Sequence, residues 1–453
     1  MKLIFKPLII AITCVLASSN AFATIGYNSH GIGTKNKGMG GAGIALPEDA
    51  ISLANNPASL TEIGDAFDIG IAIFSPDRSY TASASQLNGQ FGAFTLGPDK
   101  QTSARRYFVI PAVAGSWKID DVSAWGFAFY GRGGMNSTWD RGSATFDPDG
   151  PGPSGPRTFP GVFGGGAPTS INLMQALLDL SYARKVGENT SIGGALILAG
   201  QQFEARGLSS FAGFTNTFNA SGGTVFPQNL TNNGASYSYG YGLKVGFHSN
   251  ISDSFSLAAS YTTKLNMTEF DEYADLFAQN GGFDIPATFR GGVTFKTGSA
   301  AYSFDLEHTW YSDVAAIGNP MANLFNCPAV AGPGGDLESC LGGNRGGGFG
   351  WNDVTAYKFG GQWEGDSATY RAGYSYVDQP IDGADVTFNI LAPGVIEHHF
   401  TFGFTKPLAN ERDWSMAFMY APRSSVNAPN AFDPTQDITI SMSQWEIEFS
   451  YGW

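Results

Sequence analysis

The sequence is poor in charge, cysteine and histidine, and beyond its first residues it has no long apolar run. Only 14% of its 453 residues are charged, with a formal net charge of −14. So little positive charge is unsuited to a phosphate backbone, and nucleic acid is excluded as a partner. Of the five histidines, none stands beside a recognisable serine motif, and for each a structural role outweighs a catalytic or metal-ligating one. No metal, cofactor or enzymatic activity is expected. No run of some 18 apolar residues follows the leader, so no span by a helix is expected either. In place of these the chain has 60 glycines and 14% aromatic residues.

The first residues read as an export signal. Lys2 and Lys6 precede an apolar run from Leu8 to Ala17, and Ala21-Phe22-Ala23 has the small-x-small form of a cleavage site. Residues 1–23 are therefore a signal peptide and the mature chain starts at Thr24. Ala11-Ile12-Thr13 is a poor match to the run that precedes an acylated cysteine, which argues against Cys14 as a lipid anchor. Export leaves Cys327 and Cys340, both in one Gly/Pro-rich segment, and predicts a disulfide between them.

Residues 24–64 are rich in glycine and small side chains, and can thread a confined space where ordinary loops would clash. They read as a plug, with Gly38, Gly40 and Gly43 at its centre and Asn56, Pro57 and Ala58 at its exit. Those glycines also spell G-x-G-x-x-G, but no strand precedes them and no βαβ pattern follows, so a dinucleotide site is not implied.

Residues 65–453 are a succession of amphipathic strands. Trp445 to Trp453 alternates apolar or aromatic with polar or small side chains, as a strand between lipid and a wet lumen does. Fourteen such strands are predicted, near 66–74, 107–118, 122–131, 176–187, 190–203, 236–248, 254–266, 285–297, 299–311, 353–364, 367–377, 396–406, 413–421 and 443–453. Their connections alternate between short turns and segments of tens of residues, the pattern of short periplasmic turns and long outer loops. The fold expected is an all-β transmembrane barrel of fourteen antiparallel strands, with the N-terminal segment as a hatch in its lumen.

The turn at Gly298-Ser299 fixes a register, because a two-residue hairpin pairs residues whose numbers sum to a constant. Val293 then faces Phe304 and Phe295 faces Tyr302 on the lipid side, while Arg290 faces Glu307 and Gly292 faces Asp305 in the lumen. Alternation also turns Lys244, Lys296, Lys358 and Arg371 inward, which with Arg290 makes five candidate partners for a ligand carboxylate. In the outer loops, Asp147 to Gly166 is Gly/Pro-rich and expected to be irregular. Thr268 to Ala278 has the spacing of a short amphipathic helix. Phe211, Phe214, Phe218 and Phe226, with Phe270 and Phe277, form a candidate landing patch for a hydrophobic ligand or a means of packing the loops together.

These features resemble the FadL/TodX group of outer-membrane transporters for hydrophobic compounds. Residues Gly38–Ala58 are similar to its hatch, Asn56-Pro57-Ala58 included. Ile285-Pro286-Ala287 followed by Asp305 and Trp310-Tyr311-Ser312 is similar to its mid-barrel pattern. Trp351-Asn352-Asp353 with Gly360-Gly361, and Tyr370-Arg371-Ala372-Gly373-Tyr374 before Asp378-Gln379-Pro380, resemble its later strands. The resemblance implies capture of a ligand at the outer loops, passage to a lumen pocket, and sideways release where the third strand is kinked. Gly126 and Gly131-Arg132-Gly133-Gly134 are the candidate positions for that kink, and Asn56-Pro57-Ala58 is expected to hold the hatch against the same strand. No basic pair for a ligand carboxylate aligns with the family.

The expected role is diffusive uptake of hydrophobic small molecules, long-chain fatty acids first. Each methylene favours an apolar environment by about 0.8 kcal/mol, so an open aqueous pore is the wrong device for such a ligand. Uncharged aromatic hydrocarbons are the alternative cargo. An adhesive or receptor barrel and an outer-membrane hydrolase are the alternative classes. The expected surroundings are outer-membrane lipid and lipopolysaccharide, with the chain as a monomer.

Overall fold

Alternation of inward and outward side chains sets the architecture seen in the computed structural model, which describes residues 25–148 and 154–453. The signal-peptide reading of residues 1–23 lies outside the described residues. Fourteen long strands form the barrel: β1 Ala66–Ala82, β2 Phe108–Lys118, β3 Ser123–Trp139, β4 Thr169–Lys185 and β5 Thr190–Arg206. They continue with β6 Ser236–Ser252, β7 Phe255–Thr262, β8 Thr288–Thr297, β9 Ala300–Thr309 and β10 Val354–Glu364. The last four are β11 Thr369–Val377, β12 His398–Pro407, β13 Asp413–Asn430 and β14 Asp433–Gly452. Each pairs antiparallel with its neighbours, β14 also pairs with β1, and the ring is closed with no free edge.

Burial is inverted relative to a water-soluble protein. On β1 the apolar Ile69, Ile71 and Ile73 are exposed, and on β14 Glu446 and Glu448 are buried while Phe449 is exposed. Apolar side chains outside and ionisable ones inside suit a wall with lipid on its outer face. Among the described residues no helix is long and apolar enough to cross a membrane.

The β8–β9 hairpin has the register that its turn dictates: Val293 opposite Phe304, Phe295 opposite Tyr302, Gly292 opposite Asp305 and Arg290 opposite Glu307. Gly298 opens that turn at φ 57°, a conformation that costs glycine little.

Several local expectations are corrected. The connection between β13 and β14 is not a long loop: β13 continues to Asn430, β14 starts at Asp433, and the two form one tall hairpin. The alternation of Ile438, Ile440 and Met442, all buried, carries strand pairing well past the point where a shorter strand was expected. The helix expected over residues 268–278 is absent. Asp271–Tyr273 is a single 3₁₀ turn, and Thr268 is bonded through its backbone N–H to the Tyr239 carbonyl on β6 instead of capping a helix. Phe270, Tyr273 and Phe277 are drawn onto Phe203, and that aromatic packing outweighs the local helical spacing. The segment from Asp147 to Gly166 is not irregular throughout, since Arg157–Pro160 pairs with Ser143–Phe146 as a small hairpin arm.

β3 is the irregular member of the wall. It pairs with β2 only from Ala124 to Tyr130, and its register with β4 shifts between Gly131 and Gly133. A shift of this kind is a bulge that bends the strand and ends pairing on one side. The kink therefore lies at Gly131–Gly133 and not at Gly126. Above it the β2 side of β3 is occupied by the N-terminal segment: Ser29 N–H donates to the Arg132 carbonyl at 3.1 Å and Gly134 N–H to the Tyr27 carbonyl at 3.1 Å. A Cβ on Gly133 would stand 2.5 Å from that Tyr27 oxygen, so only glycine permits the approach.

Candidate functional site: the enclosed N-terminal segment and the loop cavities

The segment from Ile25 to Ile63 bonds to inward side chains on every side of the ring, which places it inside the barrel. Lys35 pairs with Asp413 on β13 at 2.8 Å, and Lys37 pairs with Glu448 at 2.5 Å and with Glu446, both on β14. Across the lumen, the backbone N–H groups of Gly43 and Ile44 each donate to Asp305 on β9 at 2.8 Å. Lys358 on β10 donates to the His30 carbonyl at 2.9 Å, and Thr401 on β12 to the Gly38 carbonyl at 2.9 Å. The small side chains expected of a threading segment are used as such. Gly40 and Gly41 have φ of 71° and 79°, and a Cβ on Gly41 would meet the His30 carbonyl at 2.0 Å.

Asn56 is a fixed point, although not against the third strand as expected. Its Nδ2 donates to the Phe247 carbonyl on β6 at 2.9 Å, and its Oδ1 accepts from Ala58 N–H at 3.0 Å, which caps the turn begun by Pro57. Gly246 and Gly193 make room for this turn, since a Cβ on either would fall within 2.5 Å of it. A glycine facing inward on a strand that meets no loop in sequence was the available signal for that contact.

Four of the five nominated cations are committed to internal partners. Arg290 and Lys358 share Glu307 at 3.0 and 2.6 Å, Lys244 pairs with Asp179 at 2.5 Å, and Arg371 pairs with Glu48 at 3.0 Å. Lys244 also donates to the Ala54 carbonyl at 2.6 Å. Lys296 lies beside the 298–299 turn and is exposed. None of the five stands ready for a ligand. Sequence reading omitted two further inward arginines, Arg78 and Arg132. Arg132 donates to Thr288 Oγ1 at 2.8 Å.

The segment's own ionisable groups are set by enclosure. Burial works against the charge of Lys37, but Glu446 and Glu448 more than offset this and hold the ammonium above the ordinary lysine range. His30 stacks on His399 with ring centroids 5.8 Å apart, and burial, with His399 and Lys37 adding to it, pushes its imidazole well below its usual value. It is neutral at physiological pH.

Beyond the N-terminal segment the loops line two apolar spaces. The outer cavity, about 800 Å³, is walled by Phe94, Phe146, Phe211, Phe214, Phe218 and Phe432 among others. The inner one, about 50 Å³, lies among Ile171, Phe203, Phe211, Phe277, Leu341 and Leu391. Phe211 belongs to both walls. Among the described residues no lysine, arginine or histidine lines either space. Of the nominated patch, Phe270 is fully buried and lines neither cavity, and Phe226 is 58% exposed at the outer rim.

Cys327 and Cys340 are joined in a loop disulfide. Phe325 and Val330 on one side of it line the outer cavity, and Leu341 on the other lines the inner one. Closing a loop of this size is worth about 3 kcal/mol in chain-entropy models. Replacing both cysteines by serine is expected to make the 327–340 segment sensitive to protease while the barrel keeps its heat-resistant gel mobility. Equal nicking of mutant and wild type would show that the loop is held without the bond.

A closed barrel of fourteen strands with apolar cavities at its loop end and an N-terminal segment in its lumen defines a class, the outer-membrane channels for hydrophobic compounds. Residues 10–441 match the family described as "Outer membrane protein transport protein (OMPP1/FadL/TodX)", and the chain belongs to that family. The protein thus resides in the bacterial outer membrane and transports hydrophobic compounds. A sequence comparison with curated proteins finds no match. Among solved structures, a Pseudomonas aeruginosa FadL homologue is similar at 16% identity over 94% of this chain and 99% of its own, with a TM-score of 0.64. The P. putida toluene transporter TodX is similar at 15% identity over 93% and 98%, with a TM-score of 0.59. The Ralstonia pickettii toluene transporter TbuX is similar at 14% identity over 93% and 98%, with a TM-score of 0.59. At such identities these likenesses establish the shared fold.

Proposed function

We propose that the protein takes up long-chain fatty acids and similar elongated apolar molecules, by capture in the outer cavity, transfer past Phe211 and sideways release between β2 and β3. The observation that carries this reading is the pair of apolar spaces sharing the Phe211 wall. The outer one has the volume of a site that buries a molecule larger than a single ring, and its aromatic lining gives such a chain a dry surface. The inner one is narrow, so a ligand advances by parting side chains. In this reading the N-terminal segment is the hatch: it denies the cargo a straight aqueous path and leaves the interrupted β2–β3 seam as the exit. Aromatic hydrocarbons are the second cargo, favoured by the absence of any cation in either lining. The G-x-G-x-x-G spelling at Gly38–Gly43 lacks the strand and helix of a nucleotide site, and transport runs down the gradient.

The test is uptake of labelled oleate and toluene by cells expressing wild type or Phe211→Asp, which places a charge on the wall common to both spaces. Oleate uptake is expected to fall more than tenfold, with the barrel still inserted and heat resistant. A wild type that carries neither compound above the level of cells lacking the protein would remove the transport reading in favour of a receptor barrel.

A further inference from the structure

Four of the five nominated lumen cations are paired with carboxylates inside the protein, whereas the buried guanidinium of Arg78 has no such pair among the described residues. Arg78 projects inward from β1, is 2% exposed, and neither of its terminal nitrogens, Nη1 and Nη2, has a hydrogen-bond partner among the described residues. Its guanidinium carbon lies 5.9 Å from the centre of the Phe108 ring. On the adjacent β14, Gln444 is also 2% exposed, and both its amide nitrogen and its amide oxygen are unpartnered. Gln444 pairs with Pro76 and Met442 with Arg78, so Arg78 and Gln444 are diagonal neighbours on the lumen face.

Nearby carboxylates do not supply the missing partner. Glu446 and Glu448 are engaged by Lys37, and Asp77 bonds to Arg106 and Arg423 on the outer face. A buried charge with its donors unmet is costly, and such a group calls for an anion. The guanidinium offers a planar fork of donors, the geometry that matches a carboxylate, and Gln444 adds a further amide donor. The rest of the setting is apolar: Phe74, Phe108 and Met442 are all buried there. Phe108 is also the first residue of β2, at the end of that strand which has lost its pairing with β3.

We propose that Arg78, assisted by Gln444, is a binding site for the carboxylate of an amphipathic ligand, whose apolar body lies against Phe74, Phe108 and Met442 beside the β2–β3 opening. This deepens the uptake reading and rests on it, because it makes an acid head group part of what the channel selects. Both side chains are closed off in this form, so loading requires neighbouring side chains to part. The position was invisible to a search for basic pairs, since Arg78 acts with an amide and an aromatic ring.

The test compares binding of palmitate and hexadecanol, equal in chain length and differing in the acid, to the purified full-length protein in nanodiscs. Arg78→Met is expected to weaken palmitate at least tenfold and leave hexadecanol within twofold, with Gln444→Leu giving a smaller loss of the same kind. Arg78→Lys, which keeps the charge without the fork, should fall between wild type and Arg78→Met. Equal changes for both ligands, or none, would overturn the site while leaving uptake intact, whereas a wild type that binds neither ligand would overturn both readings. Crystals soaked in bromide supply the remaining arm. An anomalous peak at Arg78 that palmitate does not displace would assign the site to a free inorganic anion and end the head-group proposal.

Discussion

Lys37→Met is expected to convert a sealed barrel into a leaky one. The lysine is buried between Glu446 and Glu448, and Thr34 Oγ1 donates to Glu448 at 2.8 Å from the same short helical turn. Removing the ammonium leaves two carboxylates facing each other in a closed space, and breaking a buried pair from one side costs about 3–5 kcal/mol. The strands hold their own hydrogen bonds, so the cost falls on the docking of the segment and not on the wall. Conductance of small ions across a planar bilayer should rise several-fold over wild type, with heat-resistant mobility unchanged. The triple change Lys37→Met, Glu446→Gln and Glu448→Gln should recover most of the seal, since it removes the uncompensated charge. A Lys37→Met channel as tight as wild type would show that the backbone contacts to Asp305, Lys358 and Thr401 suffice to dock the segment.

Deleting Arg132 is expected to close the proposed exit between β2 and β3. It is the extra residue between Gly131 and Gly133, and without it the register of β3 against β4 runs through without a shift. A straightened β3 would continue its ladder with β2 and close the seam now occupied by residues 27–29. Oleate uptake should fall to the level of cells lacking the protein, in a barrel that inserts normally. Arg132→Met separates the two roles of this residue, because it keeps the bulge and loses the side-chain bonds to Thr288 and the Pro286 carbonyl. Uptake by Arg132→Met should stay within about threefold of wild type. If the deletion transports as wild type does, the exit lies elsewhere.

The barrel was legible because each strand carries a period-two signal that does not depend on its neighbours, and Gly298-Ser299 even fixed a register from two residues. What the sequence did not show was wherever contacts distant along the chain decide the outcome. Residues 268–278 have helical spacing, yet Phe203, distant in sequence, captures Phe270, Tyr273 and Phe277. Inward direction was readable for Lys244, Arg290, Lys358 and Arg371, and the hairpin register put Arg290 opposite its partner Glu307; the partners of Lys244 and Arg371 were not readable, because Asp179 and Glu48 reach them through the fold. Arg78 was missed for the converse reason: what marks it is a pair of terminal nitrogens with no hydrogen-bond partner among the described residues, and such an absence has no local signature. Gly131–Gly133 stood out as a glycine cluster among several, and only the loss of pairing with β2 singled it out.

The bonds of the N-terminal segment also constrain the order of assembly. The segment precedes β1 in the chain, yet Lys35 and Lys37 find their carboxylates on β13 and β14, which are made last. Until those strands are in place, Lys37 lacks Glu446 and Glu448, Lys35 has only Glu48 and Asp49 of its own segment for counter-charge, and the ring has no seam to close. Threading the segment into a finished cylinder would mean dragging both ammonium groups through a lumen whose other carboxylates are already taken. A wall that curled around the segment as the seam between β14 and β1 formed would bring both lysines and their carboxylates together in one step, with the enclosed piece acting as a mandrel for the barrel that imprisons it.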